Sequence, residues 1–195
     1  MSSWLNRLLG NSARAPLTVH GIRVDLRNSR ADIADEVVLS RLEEALALVA
    51  VYAPHRFRHL QRDVRNIRVE RFPTRGAFLP SEEVILTELT FLARRDISAA
   101  PVASSILHEG VHARVHAFRR RVMRGWPAAA DMAREERLCR RAELAFGLAL
   151  PSALGAPVVE RAAASLALED REVAPVVDWR LARDRQERVD RGELP

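Results

Sequence analysis

Residues 104–118, SSILHEGVHARVHAF, constrain this chain more than any other stretch. Ile106, Leu107, Val111, Ala113, Val115, Ala117 and Phe118 make it apolar on nearly every side, and a helix that is apolar all round belongs at the centre of a domain. Within it, His108, Glu109 and His112 form an HExxH pattern, so two imidazoles four residues apart leave one helix face one turn apart. Polar groups buried this way cost desolvation unless they are partnered, and a metal ion is the simplest partner that two imidazoles can share. Two imidazole nitrogens at about 2 Å satisfy half of the tetrahedral shell of one Zn²⁺. Glu109, beside the first of them, is placed to take a proton from a water that the ion activates. The chemistry implied is hydrolysis.

Composition narrows the alternatives. With 195 residues, 48% of them hydrophobic, the chain can bury one substantial core. All 31 basic residues are arginine and the formal charge is +5, which invites a nucleic-acid reading. The arginines are interleaved with acids, however, as in residues 180–191, where Asp184, Glu187 and Asp190 intervene. That pattern describes a solvated, salt-bridged helix, and an Arg-rich nucleic-acid binder is the weakest of the readings considered. Cys139 is the sole cysteine, which rules out an intrachain disulfide and Cys-based zinc clusters and points to a reducing, cytoplasmic setting. No stretch is long enough to span a bilayer.

Taken in order, residues 1–14 form an N-terminal extension with a short apolar pattern at Trp4, Leu5, Leu8 and Leu9. Residues 17–26, β-branched and loosely alternating, predict a first strand, and residues 34–52 an amphipathic helix ended by Pro54. Residues 55–66 read as a polar, Arg-rich connection. Residues 67–72 predict a second strand, and residues 77–79 and 84–92 further extended segments. The central helix is expected to start at a cap on Asp96 or Ser98 and to run to about Met123 before Gly125. A second helix is expected from Pro127 to about Leu150, a shorter one over residues 158–168, and a charged helical tail from Pro175. The expected class is therefore α+β, with a small, mostly antiparallel or mixed sheet of three to four strands packed on the HExxH helix. One domain spans residues 15–170 and residues 171–195 form the tail.

A third metal ligand is needed. His116 continues the four-residue series, but on an unbroken helix it stands about 12 Å from His108 along the axis, too far to share an ion. The following helix offers Glu136 and Glu143, seven residues apart on one face, with Cys139 and Arg140 between them. Either can complete a His, His, Glu shell, with Glu136 preferred, while the other orients a ligand or pairs with Arg140 or Arg114.

The order of strand, helix and strands, a buried HExxH helix, then a helix carrying Glu, resembles the core of the zincin metallopeptidases with a glutamate third ligand. HEGVHAR followed by ERLCRRAELAF is similar to small bacterial zinc peptidases of unassigned substrate, over residues 106–146. The resemblance implies that His108 and His112 are ligands, that Glu109 is the general base, and that Glu136 is the third ligand, with Cys139 as the small residue three places on. It also implies one Zn²⁺ ion and a peptide or protein substrate lying extended along an edge strand, either residues 84–92 or residues 77–79. The family's oxyanion-stabilising residue is not identified, and Tyr52, Arg114 and His116 are the candidates. The competing class is a catalytically silent regulatory or binding protein that keeps the same core.

Overall fold

The computed structural model describes residues 17–122, 129–173, 178–191 and 193. The N-terminal extension, the segment around Gly125 and Pro127, and Pro175 lie outside the described residues. The class is α+β and the sheet is mixed, as expected, but among the described residues it has five strands, not three to four. One local signal accounts for the extra strand, and a second shortens another segment expected to be extended.

The first is a tight turn inside the segment expected as one strand. His20 and Gly21 both take positive φ, 47° and 79°, the conformation that a two-residue hairpin turn requires. They split the segment into β1 (Leu17–Val19) and β2 (Ile22–Leu26), paired antiparallel. The second lies in residues 84–92, where β5 (Val84–Glu88) stops early. The Glu88 carboxylate accepts a hydrogen bond from the Phe91 backbone N–H at 2.6 Å, capping the short helix α3 (Leu89–Ala93), so VILTELTFL is half strand and half helix.

Between these, α1 (Asp35–Tyr52) buries Val38, Leu42, Ala45, Leu46 and Val49 at helical spacing. The Arg-rich connection is instead a helix, α2 (Pro54–Asp63), with Pro54 in its first turn. Its apolar content is small, and Leu60, 1% exposed, is the side chain that anchors it. β3 (Asn66–Glu70) then pairs parallel with both β2 and β5, and β4 (Gly76–Leu79) pairs antiparallel with β5 at the sheet edge. The strand order is β1-β2-β3-β5-β4. All five residues of β5 are buried, as befits an interior strand covered on both faces.

The central helix α4 (Ala99–Val122) packs against α1, α2, β4 and the following helix α5 (Ala129–Ala149). Gly110 lets α2 approach it, since a Cβ there would stand 2.4 Å from Leu60 Cδ2. α6 (Ser152–Leu166) begins six residues before the expected start and carries Pro157 inside it. It is followed by α7 (Asp170–Val173) and α8 (Trp179–Asp190), the charged tail helix. Asp190 returns α8 to the sheet through Arg71, at 2.5 Å. Among the described residues no helix is long and apolar enough to cross a membrane.

α5 and α6 cross at glycines. A Cβ on Gly155 would lie 2.1 Å from the Gly147 carbonyl oxygen, a backbone atom with no rotamer to yield. Gly155→Ala is expected to cost on the order of 3 kcal/mol, at the upper end of overpacking effects. Urea unfolding checks this: a midpoint within error of wild type would show that the helices separate at no cost.

Candidate metal centre

The site forms where α4 meets α5. Helical spacing places His108 and His112 on the α4 face turned to α5, and Glu136 and Cys139, three residues apart, answer from α5. The two Nε2 atoms stand 3.2 Å apart. The Glu136 carboxylate spans them, Oε2 3.3 Å from His108 Nε2 and Oε1 3.1 Å from His112 Nε2. Cys139 Sγ is 3.5 Å from His112 Nε2, and His108, His112 and Cys139 offer donor atoms all within 4.8 Å of one another.

The outward-facing nitrogens are fixed by other carboxylates. His108 Nδ1 donates to Glu143 Oε1 at 2.5 Å, and His112 Nδ1 donates to Glu135 Oε1 at 2.7 Å. Such a bond sets the tautomer, turning each Nε2 lone pair inward when the ring is neutral. The carboxylates are anchored in turn. Glu143, wholly buried, accepts from Arg140 and Arg161, each at 2.8 Å, and from Ser104 Oγ at 3.2 Å. Glu135 is held by Arg119.

Burial disfavours an imidazolium at His108, but Glu136 and Glu143 outweigh it and hold its pKa well above the usual histidine range. Burial likewise opposes the charge on His112, and Cys139, Glu135 and Glu136 overcome it. The His108 and His112 rings hold the Glu136 carboxyl well below its ordinary pKa, against the upward pull of burial. Three carboxylates surround the two rings, an environment that favours positive charge between them, such as a divalent cation.

The donor set fits such an ion. Ligands at about 2.0–2.1 Å in a tetrahedron lie about 3.3 Å from each other. The separations among His108, His112 and Glu136 are 3.1–3.3 Å. Imidazole and carboxylate together suit Zn²⁺.

Glu109 lies on a neighbouring face of α4, beneath the edge strand. A Cβ on Gly76 of β4 would stand 3.1 Å from Ser105 Oγ and 3.4 Å from Glu109 Cγ. Glu109 is half-buried, and among the described residues no hydrogen bond or ion pair holds its carboxylate.

The remaining expected residues are dispersed. Glu143 sits on His108 Nδ1, away from the two facing Nε2 atoms, and Arg140 pairs with it. Arg114 points to α2, 3.7 Å from Asp63. His116 lies along β4, its ring 5.7 Å from that of Phe78, and Tyr52 packs against the hydrophobic core. Glu135, Arg119 and Arg161 were missed. Glu135 was legible only as the neighbour of Glu136, and Arg161 comes from α6, nearly twenty residues beyond Glu143. Arg75 immediately precedes β4. It lies 5.3 Å over the Phe91 ring, and burial pushes its pKa down. Among the described residues no carboxylate pairs with it.

Comparison with known protein families, curated proteins and solved structures gave no match.

Proposed function

We propose that this chain is a zinc-dependent metallopeptidase of zincin-like type, with His108, His112 and Glu136 holding one Zn²⁺ and Glu109 acting as general base. One observation carries the reading: two imidazole Nε2 atoms and one carboxylate face each other at 3.1–3.3 Å, and each ring is locked by a carboxylate at its other nitrogen. Helix packing alone has no need of that double constraint.

Bound there, the ion supplies Lewis acidity toward a carbonyl and a water. The chain's residues do the rest. Glu143 and Glu135 keep the imidazoles in register. Glu109, next to the first ligand and without a hydrogen-bond or ion-pair partner among the described residues, accepts a proton from the attacking water at its carboxylate and returns it to the leaving amine. β4, an edge strand that passes over Ser105 and Glu109, is where an extended peptide would add to the sheet.

The test is metal analysis of untagged protein together with cleavage of a broad peptide library. Wild type should carry one zinc per chain and His108→Ala none, with hydrolysis lost alongside the metal. A wild-type protein without stoichiometric transition metal would refute the reading. One zinc without cleavage would favour a regulatory protein built on the same centre.

A further inference from the structure

We propose that Cys139 is a fourth protein ligand, so that the loaded site rests with two imidazole nitrogens, one carboxylate and one thiolate around the ion. The inference builds on the metal site proposed above and concerns its resting state. Cys139 is fully buried, three residues after Glu136 on the same face of α5, and its sulfur stands 3.5 Å from His112 Nε2. With Zn–S near 2.3 Å and Zn–N near 2.0 Å, tetrahedral ligands lie about 3.5 Å apart. The donor atoms of Cys139, His108 and His112 all lie within 4.8 Å of one another, and Glu136 meets the same two imidazoles.

A thiol adds a soft donor that a divalent zinc-type ion prefers over water. On binding, the thiol proton is released and the sulfur forms its bond to the ion with its own electron pair, so no oxidant or reductant is required. Four protein donors close the tetrahedron, as in structural zinc sites, whereas catalytic sites keep a position open. Entry of water or a substrate carbonyl would then displace the sulfur or expand the shell to five donors.

Because the chain has a single cysteine, the assignment needs no variant. Metal-free protein is titrated with Co²⁺ while metal content and absorption are followed. One Co²⁺ per chain with a near-ultraviolet sulfur-to-cobalt charge-transfer band identifies Cys139 as a ligand, and intense visible bands mark four-coordination. Cys139→Ser should still take up one Co²⁺ but lose the charge-transfer band. One Co²⁺ bound by wild type without that band would overturn the fourth ligand and leave the metal site intact. No Co²⁺ and no Zn²⁺ bound would overturn both.

Discussion

Glu109→Gln is expected to retain one zinc per chain and to lose peptide hydrolysis by roughly 10²–10⁴-fold, the usual contribution of a positioned general base. The amide keeps the carboxylate's size and some of its hydrogen bonding but cannot accept the proton. Metal should be spared because the three facing donors belong to His108, His112 and Glu136, whereas Glu109 lies on the adjoining face of α4 toward β4. Folding should be spared too, because no described ion pair depends on the Glu109 carboxylate. Zinc content and hydrolysis measured on one preparation separate the roles. Loss of metal in the variant would make Glu109 a ligand, and undiminished hydrolysis would remove it from the chemistry.

The largest stability effect is expected at Glu143. Its carboxylate has no solvent exposure and meets His108, Arg140, Arg161 and Ser104. Glu143→Ala leaves those cations facing one another in a buried pocket, and breaking a buried pair from one side costs about 3–5 kcal/mol. Arg140 and Arg161 are 23% and 32% exposed at the side chain, so some of their charge can turn to water, and the lower half of that range is expected. Glu143→Gln keeps an acceptor for His108 Nδ1 and should be milder. Because Glu143 orients His108, zinc affinity should also fall by about 10–100-fold. Urea unfolding and zinc competition read the two effects separately. A change below about 1 kcal/mol would mean that the network carries little net stability.

How far the fold was legible depended on how loudly each segment stated its burial. The α4 segment was plain because it is apolar on every side, and α1 because Val38, Leu42, Leu46 and Val49 repeat at helical spacing. α2 reads locally as a connection because six of its ten residues are Arg, His or Asp. Its helical state rests on Leu60 meeting the gap at Gly110, a contact absent from local sequence. The β1–β2 turn was written in His20 and Gly21, yet a strand pattern runs through them unbroken. At β5 the decisive group was a side chain acting on its own backbone: Glu88 capping Phe91.

The candidate site divides the same way. That His108 and His112 share a face follows from helix geometry alone, since four residues make about one turn. Which acid meets them does not follow, because Glu135, Glu136 and Glu143 are all glutamates of one helix. Only the crossing of α5 over α4 sets Glu136 between the two Nε2 atoms, sends Glu135 and Glu143 behind the rings, and brings Cys139 to 3.5 Å. The sequence by itself determined a buried helix bearing two imidazoles and a carboxylate, because periodicity and burial are local properties of the chain. The tertiary structure decided the sheet's order and the positions of the glutamates around the two imidazoles, because both depend on where distant elements come to rest against that helix.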